Sequence, residues 1–292
     1  MSVGQRAARA VGCAITFAAL LVPATAHASE GDLLSHRAVY ELSLNRADRD
    51  SGVDDAAGAF VFQVRGSSCS GWNIVSDIVL SIQNEQGGTI RTETQYRAFE
   101  DAVGEIFTFQ SETRTEGSDD EMVTGAAERR PDGSVSIRRF ASAEERNTAS
   151  RQTRFPNQLT VAMLDAAQSG ERILFSEVFD GSHESGVAQP ASVVIGSAVA
   201  PTVIAPVGAS QSSLEGDVEE DHWADFPLPE AAWPVTLSYF DPREPDSPPN
   251  FRVSYTLDTN GVSDSLILDY GSFSLRGKLV DFTAFLPAEC DR

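Results

Sequence analysis

The sequence predicts a mainly β protein: a wide antiparallel sheet that closes into a barrel or rolls into a spiral, with one main helix packed against it. Three observations carry this. Period-two alternation of apolar and polar residues dominates from His36 to the end of the chain, helical periodicity occurs once, after Phe155-Pro156, and Gly/Asn/Asp turn signals punctuate the alternating segments. A flat open sheet of twelve or more strands exposes long edges, so a sheet of that width is expected to curl.

Taken in order, His36–Asn45 places Tyr40, Leu42 and Leu44 on one face, and Phe60, Phe62 and Val64 form a second strand with Val61 turned away. Gly71 opens a long segment in which Trp72, Ile74, Ile78, Leu80 and Ile82 share one parity, and Gln86-Gly87-Gly88 ends it as a turn. Arg91–Phe99 and Glu105–Thr115 continue the pattern, the second with Ile106, Phe107 and Phe109. Pro131-Asp132-Gly133 joins Met122–Arg130 to Ser134–Phe140 as a hairpin. The helix begins at Phe155-Pro156-Asn157, carries Leu159, Met163 and Leu164 at helical spacing, and stops at Gly170.

Strands follow at Arg172–Phe179, Ala191–Ile195 and, weakly, near Val203. Residues 207–222 are Gly/Ser-rich and then acidic, the composition of a solvated surface loop, with the acids concentrated in 215–222. Four further strands, Trp233–Tyr239, Phe251–Leu257, Ser265–Tyr270 and Ser272–Phe285, complete the chain. No internal repeat appears, and residues 29–292 read as a single domain.

The N-terminus reads as a secretory signal over residues 1–28. Arg6 and Arg9 precede an apolar run of about 13 residues, and Ala26-His27-Ala28 supplies the small-x-small pattern for cleavage after Ala28. That run is too short for a permanent span, and Cys13 lies too early in it to be a lipidation site. The expected product is a soluble periplasmic chain. Cleavage removes two arginines and no acid, so a formal charge of −21 becomes about −23. Such a balance disfavours nucleic acid and nonspecific adhesion to anionic headgroups, and no stable membrane insertion is expected.

Two cysteines remain after cleavage, Cys69 and Cys290, and in an oxidising compartment an even pair reads as a disulfide; two free thiols are the alternative. Neither lies in a Cys-x-x-Cys motif. No His-Glu-x-x-His, Gly-x-Ser-x-Gly, phosphate loop or dinucleotide fingerprint is present, so no catalytic residue, cofactor or metal is assigned. His36 reads as structural. Asp180-Gly181-Ser182-His183-Glu184 reads first as turn chemistry, with ligand orientation as the sharper option, and Trp72 and Trp233 read as core.

His36-Arg37-Ala38-Val39-Tyr40-Glu41-Leu42-Ser43-Leu44, Gly66-Ser67-Ser68-Cys69-Ser70-Gly71-Trp72, Phe155-Pro156, Phe179-Asp180-Gly181-Ser182 and a last strand ending in Cys290 together resemble the EipB family of periplasmic cell-envelope integrity proteins. The resemblance implies a single spiral-like, incompletely closed barrel, a disulfide matching Cys69–Cys290, and a role in resisting cell-wall drugs and detergents. It carries no catalytic residue and no cofactor. Gln158 stands where the family pattern has a histidine after Phe-Pro. The expected function is non-enzymatic support of envelope integrity, with periplasmic envelope proteins, lipid or peptidoglycan components as partners. The alternatives are a carrier holding a hydrophobic ligand inside the rolled sheet, and a hydrolase with two facing carboxylates.

Overall fold

A computed structural model describes residues 33–141, 143–183, 186–202, 228–244, 246–286 and 290. The signal segment, the acidic loop and the stretch near Val203 lie outside the described residues. Fifteen strands form one sheet: β1 His36–Ala47, β2 Val53–Ser67, β3 Gly71–Asn84, β4 Thr89–Glu100, β5 Ile106–Thr115, β6 Glu121–Arg129, β7 Val135–Phe140, β8 Glu144–Ala149, β9 Thr153–Arg154, β10 Ile173–Val178, β11 Gln189–Ile195, β12 Ala232–Tyr239, β13 Phe251–Asp258, β14 Ser263–Asp269 and β15 Phe273–Ala284. The single helix among the described residues, α1, spans Pro156–Ser169 between β9 and β10.

The order across the sheet is β8-β7-β6-β5-β4-β3-β2-β1-β15-β14-β13-β12-β11-β10-β9. Every pairing is antiparallel except β9 with β10. The first and last strands therefore pair in the middle of the sheet, with Tyr40 opposite Leu279 and Leu42 opposite Gly277. The two edges, β8 and β9, are consecutive in the chain. The sheet is nearly closed and barrel-like, as expected from its width.

Alternation places one face of each strand inside. Tyr40 and Leu42 are buried with Leu266, Leu268, Leu275 and Phe282 in one cluster. A larger cluster gathers Trp72, Phe107, Ile137, Val193, Trp233 and Leu257 around α1. Phe155 lies 5.2 Å from Phe107, ring to ring, and Phe179 meets Phe107 edge-on at 6.0 Å. Each such fully buried aromatic contributes on the order of 2–3 kcal/mol. Leu159, Met163 and Leu164 turn the helix's apolar stripe into this cluster.

Gly170 ends α1 in the left-handed region (φ 83°) and donates its N–H to the carbonyls of Ala166 and Ala167. At the other end the N-cap, Phe155, has no oxygen to offer. Gln158 Oε1 accepts the Phe155 N–H at 3.1 Å instead, and Glu100 of β4 reaches across to accept the N–H groups of Asn157 (2.8 Å) and Gln158 (3.0 Å). The orphan donors that every helix start presents are thus satisfied by the sheet.

Candidate functional site

Curling the sheet brings β2 and β3 opposite β13 and β14, although β1 and β15 separate them in strand order. Between them lies an interior cavity of about 560 Å³. One wall is the cross-strand pair Phe60–Ile78; the other is the cross-strand pair Val253–Leu268, with Leu266 beside it. Tyr239 and Phe251 are also paired across strands, with rings 6.2 Å apart, and Phe251 continues to Tyr270 at 5.2 Å. This aromatic ladder forms the cavity's third side.

The remaining lining is polar. The turn after β10 supplies Asp180, Ser182 and His183, and the loop after β12 supplies Asp241 and Arg243. Asp180 Oδ1 accepts the Ser182 N–H at 2.9 Å and its hydroxyl at 2.7 Å, the turn chemistry anticipated for Asp-Gly-Ser. Tyr96 O–H donates to the Asp180 carbonyl at 2.6 Å, fastening that turn to β4. Gly181 adopts φ 76°, and a Cβ there would lie 2.5 Å from the Phe109 ring, so both conformation and space demand glycine.

Asp241 accepts the Arg243 backbone N–H (2.8 Å) and side-chain Nε (3.2 Å) on Oδ1, and its NH2 group (3.1 Å) on Oδ2. Those bonds hold the Asp241 carboxyl below the usual aspartate range, with His183 adding to the effect. Burial pushes the Tyr239 phenol well above its ordinary value, so it stays protonated. Both rim carboxylates thus serve their own loops, and the arrangement suits holding an amphiphile, with apolar walls and a hydrogen-bonding mouth.

A second cavity, about 700 Å³, lies beside α1 and is lined by Trp72, Glu100, Arg129, Asn157, Gln158 and Asp165 among others. Its polar groups hold α1 to the sheet. Glu100 caps the helix, and Arg129 donates to the carbonyls of Gly104, Gly133 and Thr153 at 2.9–3.3 Å. Burial raises the Glu100 carboxyl to about 7.

Of the residues singled out in the sequence, His36 is buried with Nδ1 2.7 Å from the Leu34 carbonyl oxygen, between the rings of Phe62 and Phe282. Burial lowers its imidazole to about 4, which makes it a neutral structural group. Trp72 and Trp233 are core residues. Cys69, in the β2–β3 turn, is bonded to Cys290, with Cα atoms 5.8 Å apart. Asp180 and His183 reach the cavity mouth, while Glu184 lies outside the described residues. No cluster of three or more metal-ligating side chains occurs among the described residues. Glu100, Tyr96 and Tyr239 were not singled out in the sequence. The available signal was parity: Glu100 follows Tyr96 and Ala98 on the inward side of β4.

The fold and cavity define a class: curled, incompletely closed β-barrel-like proteins with an interior pocket. The chain is similar to a crystal structure of a β-barrel-like protein of domain of unknown function DUF1849 from Brucella abortus (TM-score 0.72, 29% identity, 87% of this chain and 98% of that one). It is also 30% identical, over 94% of its own length and 92% of the relative's, to the cell envelope integrity protein EipB of Brucella abortus (strain 2308). The EipB-like family model matches residues 27–286, and the chain belongs to that family.

Proposed function

We propose that this chain supports cell-envelope integrity from the periplasm as a non-catalytic binding protein, and that its interior cavity receives an apolar segment of an envelope component. The relative's name supplies the envelope role. The observation that carries the binding mode is the cavity itself, walled by the pairs Phe60–Ile78 and Val253–Leu268 and rimmed by Asp180, Asp241 and Arg243. Apolar walls with a few convergent polar groups are what small-ligand and lipid sites share.

Within that reading the occupant is a lipid or similar hydrophobic ligand, or an apolar segment of a partner protein or lipoprotein. Native mass spectrometry of protein purified from the periplasm distinguishes these. Co-purifying lipid supports carriage, and a cavity empty of small molecules favours a macromolecular partner. A deletion strain should become sensitive to detergents and cell-wall antibiotics; unchanged growth under both removes the envelope role.

A further inference from the structure

Residues 129–154 hold seven of the chain's 22 basic side chains and only three acids, in a protein whose formal charge is −21. This stretch runs from the end of β6 through β7 and β8 to β9; Arg129 and Arg139 turn inward, and Arg154 lies on β9 at the other edge. On the outer face of β7 and β8 Arg138 stands directly opposite Arg146, and Arg130 joins them to line a groove of about 290 Å³. Like charges placed opposite each other across strands are destabilising, so this arrangement is not explained by folding.

The acids nearby offset it only in part. Glu144 pairs with Arg146 at 2.6 Å, Asp132 bonds Ser134 and feels the nearby charges of Arg130 and Arg151, and Glu128, one strand over, makes no ion pair among the described residues. Arg130 and Arg138 make no ion pair among the described residues. The same outer face carries two exposed apolar side chains: Phe140 (46% exposed), opposite Glu144, and Met122 (55%), on β6.

We propose that the outer face of β6, β7 and β8 docks on a membrane surface containing anionic phospholipid, with Arg130, Arg138 and Arg146 on the headgroup phosphates and Phe140 and Met122 entering the interface. A guanidinium matches a phosphate with two parallel N–H bonds, and exposed apolar side chains beside basic ones are the composition of interfacial binding surfaces. The overall negative charge does not forbid this. At physiological salt the screening length is about 8 Å, so the local arginines decide the contact. Net charge alone argued against anionic headgroups; the folded distribution of charge argues for one face that accepts them.

The test is sedimentation of the mature protein with vesicles of phosphatidylethanolamine and phosphatidylglycerol, against phosphatidylcholine vesicles, at low and high salt. Binding should require phosphatidylglycerol, weaken with salt, and fall about fivefold per arginine removed, the factor equivalent to the ~1 kcal/mol of a basic side chain at an anionic surface. Arg130→Ala with Arg138→Ala should therefore lose about twenty-fivefold, and Phe140→Ser should weaken binding at both salt concentrations. Equal binding to both vesicle types, no binding at all, or an unaffected double variant overturns the proposal. Displacement from vesicles by millimolar inorganic phosphate at constant ionic strength also overturns it, by identifying a free-phosphate site instead.

Discussion

Replacing both Cys69 and Cys290 by serine removes a link between the β2–β3 turn and the chain's end, across a sequence separation of 221 residues. Cross-linking a loop of that size restricts the unfolded chain by an amount that grows with the logarithm of loop length, roughly 5 kcal/mol at 25 °C. That figure is a ceiling, because native disulfides typically return 2–5 kcal/mol when removed. In a chain this long each kcal/mol moves the melting temperature by about 2–4 °C, so the double variant should melt roughly 5–15 °C lower. Thermal unfolding followed by circular dichroism, with and without reductant, measures it. Reduced wild type should coincide with the double variant. If full reduction, checked by mass, leaves the melting temperature unchanged, then the link contributes nothing and the reasoning fails.

Glu100 gives the protein a pH signature. Its folded pKa of about 7 exceeds the usual 4.5, so the native state holds an extra proton between those values. The stability this contributes is fully present below about pH 4.5 and is lost as pH rises through about 7, a change of roughly 3 kcal/mol. Wild type should therefore lose stability relative to Glu100→Gln between pH 5 and pH 8 in urea titrations; parallel curves would refute the raised Glu100 carboxyl. Gly181→Ala meets both a left-handed backbone and the Phe109 ring, and should cost about 2–4 kcal/mol. A loss below 1 kcal/mol in chemical denaturation would show that the turn can move away from Phe109.

The fold was legible because alternation is a local signal. Tyr40, Leu42 and Leu44, or Trp72 and Ile74, declare their inward face without any partner in view, and Gly170 marks the helix end by its own conformation. β8 escaped notice because Glu144–Ala149 is polar in five of its six positions, and its strand state comes from pairing with β7. The cavity escaped for a related reason. Phe60 and Leu268 face one cavity only because the sheet curls, and nothing in either segment encodes the other. Glu100 shares the inward parity of Tyr96 and Ala98, but parity does not say what a buried carboxylate is for; the helix start that takes its oxygens lies some 57 residues away in sequence. The arginine face shows the opposite case: composition averaged over the whole chain concealed a local reversal of sign.

If envelope protection works through the interior cavity, filling that cavity should abolish it. Leu268→Trp and, separately, Val253→Phe place bulk between the two apolar walls. Each variant, retaining a melting temperature within a few degrees of wild type and normal cellular abundance, should fail to restore detergent resistance to a deletion strain that the wild-type gene rescues. Full rescue by folded, cavity-filled protein would show that protection does not run through the cavity.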